Sequence, residues 1–202
     1  MGAHKCLVWI LMTDWDHFTG NVYTGDSWTN PVQATRMDLC LVAEIRLWKK
    51  GGYEPFEAEL VCKILREVQV FVNMGAHHGY YACLALSANT DTIAYEPEAT
   101  NILILEKHIK ANDFRNKFTL HPCAVGSQCD ELVLYGGGSG GSLLPNTNLA
   151  PESERQTVPV VTLDDTLSLN GKKALCLMDV EGFEHEALKG AGKILSNKIK
   201  PY

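Results

Sequence analysis

The sequence predicts an α/β domain in which a mostly parallel sheet carries helices on both faces. Short apolar runs alternate along the chain with segments of helical periodicity, which is typical of βαβ units. Two of the apolar runs, within residues 70–79 and 177–182, end abruptly in small and acidic residues. Ligands of open α/β sheets bind at the carboxyl ends of the strands, so both runs are expected to face one site.

The chain of 202 residues divides into an irregular N-terminal preface, residues 1–52, and a regular domain, residues 53–202. Tryptophans and turn-forming residues in the preface predict short strands and turns. Apolar residues at helical spacing from Glu54 onward predict a helix that leads into a strand at 68–73. The same patterns predict, in order, a helix at 80–88, a strand at 92–96, a helix at 98–111, a strand at 118–121, a turn at 123–126 and a strand at 132–135.

The alternation is interrupted between residues 131 and 161 by a loop that contains a glycine-rich run at 136–142. A mobile functional lid and a plain connector are both open interpretations of this loop. A strand resumes at 158–162, and Pro159 predicts that this strand lies at a sheet edge, because proline donates no ladder hydrogen bond. A helix at 163–169, a strand at 174–179 and a helix at 183–195 complete the predicted order.

Charge and cysteine content indicate which partners and which cellular compartment to expect. The formal net charge of −6 argues against nucleic acid or an anionic membrane as the main partner. The seven scattered cysteines predict neither a disulfide framework nor a structural zinc site. Buried free thiols favour a reducing compartment, so we expect a cytoplasmic protein. The apolar stretch at 6–12 is too short to span a bilayer and lacks a cleavage pattern, so neither an anchor nor a signal peptide is expected.

The glycine pattern after the first strand of the domain is Gly75-x-x-x-Gly79. It differs from the Gly-x-Gly-x-x-Gly turn of dinucleotide-binding folds, which counts against a nicotinamide or flavin enzyme. Close packing and ligand binding are both open explanations for the two glycines. Glu96 ends the next strand about 20 residues further on, where a carboxylate can accept the hydroxyl hydrogens of a ribose. With Pro97 as an apolar surface for a purine, the pattern suggests an adenosine-bearing ligand without a diphosphate.

Several motifs in the same order carry a resemblance to a known family. They are Gly52-Tyr-Glu-Pro-Phe-Glu57, Asn73-Met-Gly-Ala-His-His-Gly-Tyr-Tyr81, Ile93-Ala-Tyr-Glu-Pro97, Ala124-Val-Gly126, Val161-Thr-Leu-Asp164 and Met178-Asp-Val-Glu-Gly-Phe-Glu184. From about Asp38 to its last residue, the chain resembles FkbM-type S-adenosylmethionine-dependent methyltransferases. The resemblance implies the Rossmann-like fold of class I methyltransferases.

The resemblance also implies a role for individual residues. Gly75, Ala76 and Gly79 would cradle the methionine part of S-adenosyl-L-methionine, Glu96 would hold its ribose and Ala124 would border its adenine. The implied cofactor site comprises Asn73, Gly75, Ala76, Gly79, Tyr80, Glu96, Pro97 and Ala124. Asp179 and Glu181 would lie beside the reactive methyl group. The acceptor implied by the family is a hydroxyl, often on a sugar or natural product, with the loop 136–149 and the preface shaping its site.

Transfer to a hydroxyl requires in-line alignment and a base within hydrogen-bond reach. Glu181, Asp179 and His185 are the candidates, in that order. Structural roles are open for each of them: Asp179 as a cap of the following helix, Glu181 as an acid that complements the helix dipole, and His185 as a surface residue. His77 and His78 are adjacent and cannot easily ligate one metal, so no metal site is expected.

The chain departs from the family pattern at two places. Position 73 is Asn where the family has Asp, so the negative charge is lost while hydrogen-bonding capacity remains. The family also continues past Pro201 into further strands, so we expect the C-terminal strands of the sheet to be missing. Two explanations are open: the chain is a fragment, or a homodimer or the preface covers the exposed sheet edge.

The sequence therefore predicts an S-adenosylmethionine-dependent O-methyltransferase that acts on a small molecule or sugar. The alternative is a catalytically impaired binding or interaction module that retains the fold. A nicotinamide-dependent oxidoreductase is a third possibility, which the glycine spacing disfavours.

Overall fold

The computed structural model describes residues 9–13, 54–137, 140–145, 155–196 and 199–201. The strands are β1 (Trp9–Thr13), β2 (Val70–Met74), β3 (Asp91–Tyr95), β4 (Phe118–His121), β5 (Ala124–Val125), β6 (Asp130–Tyr135), β7 (Arg155–Val161), β8 (Ala174–Met178) and β9 (Ile199–Pro201). The α-helices are α1 (Pro55–Ile64), α2 (Tyr80–Ser87), α3 (Ala99–Ala111), α4 (Leu163–Thr166), α5 (Glu184–Lys189) and α6 (Gly192–Ser196). A short 3₁₀ helix, Arg115–Lys117, precedes β4.

A six-stranded sheet in the order β4-β3-β2-β8-β1-β9 forms the framework. Its first four strands pair in parallel, which confirms the predicted mostly parallel α/β sheet. β1 is antiparallel to both of its neighbours, β8 and β9. A segment of the predicted preface thus contributes a strand to this sheet, while the other turns and strands predicted for residues 1–52 lie outside the described residues. The division at residue 52 and the homodimer stay predictions.

Helices cover both faces of the sheet, as predicted. On one face, Phe71 of β2 packs with residues of α1, α2 and β8, and Ala94 of β3 packs with α2 and α3. On the opposite face, Val72 and Met74 pack with residues of α4 and α5. All five residues of β2 are buried. Burial on two faces explains why this strand is apolar at every position except Asn73 rather than alternating.

The carboxyl ends of β2, β3 and β8 lie at the same level. Met74 of β2 is in register with Tyr95 of β3 and with Met178 of β8. Hydrogen bonds extend this alignment past the strands, since Gly75 N donates to Tyr95 O at 2.9 Å and Asp179 N donates to Met74 O at 3.0 Å. The residues that follow the three strands are thereby brought to one place.

A second sheet of three strands, in the order β5-β7-β6, packs beside the first. β7 is its central strand, so the prediction that Pro159 marks an edge strand is wrong. Pro159 pairs with Glu131 on the β6 side. On the other side, β5 pairs only with Val160 and Val161. The short β5 ladder begins after the proline, which explains how a residue without a donor is accommodated in this strand.

The last predicted helix, at 183–195, is interrupted between α5 and α6. The backbone of Gly190 lies against the carbonyl of Gly126, where a Cβ atom would overlap that oxygen. The carboxylate of Asp164 then accepts hydrogen bonds from the backbone N–H groups of Lys193 and Ile194, at 2.9 and 3.1 Å, near the start of α6. A tight backbone contact and a side-chain cap therefore divide one apolar pattern into two helices.

Within the described ranges, none of the helices combines the length and apolar character needed to cross a membrane. The same residues contain no group of three or more His, Cys, Asp or Glu side chains arranged to hold a metal ion. Of the cysteines that the structure describes, Cys83, Cys123 and Cys176 are buried.

Substitution of Gly190 tests the contact that divides the last helix. We expect Gly190→Ala to lower the free energy of unfolding by about 2 kcal/mol, because the added methyl group meets backbone that cannot move aside. Urea unfolding measures the change. Gly137→Ala is the matched control, since a Cβ there meets nothing within 4 Å. Equal stability of the two variants would contradict the close contact.

Candidate functional site

A cleft with a volume of about 240 Å³ opens at the aligned carboxyl ends of β2, β3 and β8. Gly75, Glu96 and Asp179, which follow these three strands, all line it. The second sheet and the turn before α5 contribute an apolar wall, with Leu134, Leu143 and Phe183. The cleft thus has the location expected for a ligand site in an open α/β sheet.

Glu96 is a buried carboxylate of the cleft, only 4% exposed. Its Oε2 accepts a hydrogen bond from His77 N at 2.7 Å. Its Oε1 accepts from Glu98 N at 3.0 Å and from Asn101 Nδ2 at 3.2 Å. Burial raises the pKa of this carboxyl above its ordinary value, and the three hydrogen bonds oppose that rise without cancelling it. The side chain is therefore held in one orientation before any ligand arrives.

The hydrogen bonds of Glu96 limit what else it can bind. An ionised carboxylate has about four acceptor sites. Among the described residues, protein donors occupy three of these sites, two on Oε1 and one on Oε2. The remaining acceptor site is on Oε2. Glu96 can therefore accept a hydrogen bond from one ribose hydroxyl at Oε2, rather than from both hydroxyls.

The turn from Gly75 to Gly79 has left-handed backbone at three positions, with φ of 78° at Gly75, 50° at His77 and 89° at Gly79. A Cβ on Gly75 would overlap the carbonyl oxygen of Asp179, and one on Gly79 would overlap the side chain of Leu105. Gly79 therefore serves packing between α2 and α3. For Gly75, close packing and ligand binding are both supported. It allows the close approach of two strand ends, and it also lines the cleft.

His77 lines the cleft, and its ring stacks on that of His78 with centroids 3.8 Å apart. Burial, followed by the neighbouring His78, lowers the pKa of His77 to about 4. Its Nε2 is buried and has no hydrogen-bond partner among the described residues. His77 is therefore neutral near pH 7, and its backbone N–H is the group that orients Glu96.

Asn73 is 1% exposed within β2, and neither polar atom of its amide has a partner among the described residues. Burying an amide without hydrogen bonds is costly, and native structures rarely retain such groups. Asn73 does not line the cleft, although it lies two residues before Gly75. The position is thus polar and buried, as a residue beneath a ligand site would be, but it carries no charge.

The turn after β8 holds the two acids predicted to act in catalysis. Asp179 and Glu181 both line the cleft, and Glu181 has left-handed backbone with φ of 49°. Glu184 Oε1 accepts from Gly182 N at 3.1 Å, and Ser142 Oγ donates to Glu181 O at 2.7 Å. The N-cap residue of α5 is Phe183, so Asp179 is not the cap of this helix.

The structure brings six of the predicted site residues to the cleft: Gly75, Glu96, Pro97, Ala124, Asp179 and Glu181. It does not bring the other five there. Asn73, Ala76 and Gly79 are buried nearby, Tyr80 packs beside α1 with burial raising its pKa to about 12, and His185 is exposed on α5. Their proposed functional roles stay predictions.

Sequence reasoning missed other residues of the cleft, notably Glu54, Glu98, Asn101, Leu134, Leu143 and Phe183. Glu54 lies within a motif that supported the resemblance, which is a signal that could have identified it. Asn101 lies in the first turn of α3. Leu143 lies in the loop 136–149 that was expected to shape the acceptor site, whereas Leu134 comes from β6, which no local pattern in the sequence relates to the cleft.

A parallel sheet covered on both faces, with a cleft at its carboxyl edge, defines an α/β ligand-binding domain. The model of the methyltransferase FkbM domain matches residues 73–202. The chain therefore belongs to the FkbM methyltransferase family.

Solved structures of similar proteins include a methyltransferase FkbM from Methylobacillus flagellatus KT, with 19% identity and a TM-score of 0.43. That similarity covers 64% of this chain and 30% of the other, so the chain spans about 30% of the length of that protein. A proposed caffeoyl-CoA O-methyltransferase from Staphylococcus aureus is 15% identical, with a TM-score of 0.34, over 38% of this chain and 39% of the other. No curated protein matches the chain.

The low pKa of His77 predicts how stability depends on pH. Between pH 6.5 and about 4 the unfolded chain binds a proton at this residue and the folded chain does not, so stability falls as the pH falls through this window. We expect His77→Asn, which suits left-handed backbone, to remove about 1 kcal/mol of that loss after allowance for solvent screening.

Urea unfolding of wild type and His77→Asn at pH 7 and pH 4.5 measures this difference. Titrations of all other groups are common to the two proteins and cancel in the comparison. The same loss of stability in both proteins would show that His77 is not held in its neutral form.

Proposed function

We propose that the protein is an S-adenosylmethionine-dependent methyltransferase that transfers a methyl group to a hydroxyl of a small molecule or sugar. Membership of the FkbM methyltransferase family supports this activity. The observation that carries the proposal is the fixed Glu96 carboxylate in a cleft that also contains Asp179 and Glu181. One carboxylate is suited to a ribose, and the other two are suited to the acceptor.

The charge of the cleft supports a cationic cofactor. Five carboxylates line it, those of Glu54, Glu96, Glu98, Asp179 and Glu181, while its described lining contains no Lys or Arg. Such a lining attracts a sulfonium and an ammonium group and repels a diphosphate. The same charge disfavours a nicotinamide dinucleotide, in agreement with the glycine spacing.

The shape of the cleft also fits S-adenosylmethionine. Gly75 leaves the floor without a side chain, Glu96 offers one acceptor position, and Ala124, Val125 and Leu143 offer apolar surface for a purine. When bound, the cofactor supplies a methyl group already activated by its positively charged sulfur. The protein then has to hold the acceptor in line and accept its proton.

Asp179 and Glu181 have the location required for these two tasks. Asp179 is half-buried where β8 ends, and Glu181 is exposed at the mouth of the cleft. Either carboxylate can orient an acceptor hydroxyl and accept its proton as the methyl group is transferred. The apolar wall of Leu134, Leu143 and Phe183 suits an acceptor with both hydroxyl groups and an apolar face, such as a sugar ring. The buried thiols of Cys123 and Cys176 support a cytoplasmic protein.

A second candidate function is a binding or interaction module that retains cofactor affinity without turnover. The observation that favours it is the neutral amide of Asn73, which is buried without a partner among the described residues at a position where the family pattern has a carboxylate. Binding of cofactor without transfer to any hydroxylated acceptor would support this module over the enzyme.

Calorimetric titration with S-adenosylhomocysteine tests the cofactor site. We expect wild type to bind in the micromolar range and Glu96→Ala to bind roughly tenfold to a hundredfold more weakly, because a charge-assisted hydrogen bond is lost. Glu106→Ala, an exposed glutamate on α3 outside the cleft, is the matched control. Wild type that is folded by circular dichroism and does not bind would contradict the proposal.

Transfer is tested by production of S-adenosylhomocysteine from S-adenosylmethionine in a screen of sugars and other hydroxylated acceptors. We expect Asp179→Asn and Glu181→Gln to lower turnover roughly 100-fold or more while cofactor affinity is mostly retained, because the acceptor loses its base or its orienting group. His185→Gln, outside the cleft, is expected to retain turnover. Unchanged turnover in either acidic variant would remove that residue from the mechanism.

A further inference from the structure

Glu54 lines the cleft from the start of α1, and its backbone is unusual. Its φ and ψ are 44° and 61°, in the left-handed region. Non-glycine residues seldom adopt this conformation, and a residue that precedes proline, as Glu54 precedes Pro55, ordinarily has extended backbone. Backbone held in such a conformation is often associated with a functional position.

Capping of its own helix does not explain Glu54. It occupies the N-cap position of α1, but its side chain makes no cap hydrogen bond to that helix. Its Oε2 instead accepts a hydrogen bond from the Tyr81 hydroxyl at 2.7 Å. Tyr81 is buried, and burial followed by this hydrogen bond raises the pKa of its hydroxyl well above the ordinary value. Tyr81 is therefore a permanent donor that orients the Glu54 carboxylate.

Glu96 and the residue that holds Glu54 lie beside different neighbours of β2. Glu96 follows β3, the neighbour of β2 on one side. Tyr81, which holds Glu54, packs with Leu175 and Leu177 of β8, the neighbour on the other side. Since Glu54, Gly75 and Glu96 line one cleft, a ligand that places its ribose at Glu96 and passes over Gly75 can reach Glu54 with its opposite end.

The other carboxylates of the cleft are less suited to bind a cation at that end. Three protein donors already occupy Glu96. Glu98 caps α3, accepting from the backbone N–H groups of Thr100 and Asn101. Asp179 and Glu181 follow β8 and are assigned to the acceptor in the proposed reaction. Among the described residues, Tyr81 occupies only one acceptor position of Glu54.

Building on the proposed function, we propose that Glu54, oriented by Tyr81, binds the α-ammonium group at the methionine end of the cofactor. The bond formed is a charge-assisted hydrogen bond from the ammonium to the carboxylate. Glu54 thereby supplies a negative charge to the cofactor site that the neutral amide of Asn73 does not supply. Glu54 is a binding residue in this assignment and Tyr81 is a positioning residue.

Two ligands that differ at the methionine end test the assignment by calorimetry. S-adenosylhomocysteine carries the α-ammonium group, whereas 5′-methylthioadenosine has the same adenosine and sulfur but no amino acid. We expect Glu54→Gln to weaken S-adenosylhomocysteine binding roughly tenfold, because the ammonium group then meets a neutral amide instead of a carboxylate, and to leave 5′-methylthioadenosine binding unchanged. Glu57→Gln, in the first turn of the same helix but outside the cleft, is expected to change neither affinity.

Tyr81→Phe provides a second, independent variant. It retains the ring packing and removes the donor, so we expect a smaller loss of affinity for S-adenosylhomocysteine and none for 5′-methylthioadenosine. If Glu54→Gln fails to fold, as judged by thermal unfolding, the ratio of the two affinities in Tyr81→Phe decides the question. An unchanged ratio in that variant would overturn the assignment.

The outcomes also separate this inference from the proposed function. Wild-type binding of S-adenosylhomocysteine with no effect of Glu54→Gln would overturn the role of Glu54 and leave the cofactor site standing. Equal losses for both ligands would overturn it as well, because they indicate a structural role for the Glu54–Tyr81 contact. Wild type that binds neither ligand would overturn both proposals.

Discussion

The level alignment of three parallel strand ends is the constraint on which the rest of the structure depends. Met74 is held in register with both Tyr95 and Met178, and backbone hydrogen bonds continue that register into the turns. Because side chains alternate faces along a strand, a slip of one residue would exchange the buried faces of β2 and separate the groups that line the cleft. The register is maintained by apolar contacts on both faces of the sheet. The chemistry of the cleft is therefore set by packing that lies beneath it.

The cleft concentrates acids that the protein itself has already oriented. Backbone N–H groups hold Glu96 and Glu98, and a buried phenol holds Glu54. The energetic cost of fixing these side chains is met during folding rather than during binding, which favours affinity for a ligand of matching charge. The turn that carries Glu181 is likewise tied to the second sheet through Ser142. The two sheets thus contribute different parts of one site: charge from the first and apolar surface from the second.

Local patterns in the sequence predicted the order of helices and strands well, because strands buried on both faces and helices between them have distinct periodicities. The two errors arose where tertiary contacts decided the outcome. Pro159 lies in a central strand because its β5 neighbour is only two residues long, and the helix predicted at 183–195 is divided by the contact of Gly190 with Gly126. For the site, the acids that end strands were identifiable from the sequence. Leu134 was not, since its place in the cleft depends on how a second sheet packs against the first.

The insertion of β1 between β8 and β9 has a consequence for the way the protein folds. The ladder between β1 and β8 joins segments near opposite ends of the chain, and contacts of such high sequence separation form slowly because a long loop must close first. β2, β3 and β4 are contiguous in sequence apart from their connecting helices, so they can assemble while β8 is still being synthesised. β8 then has to pair with β2 on one side and with β1 on the other, and both of these strands are synthesised long before it. Because the end of β8 forms one side of the cleft, the cleft is one of the last parts of the molecule to form.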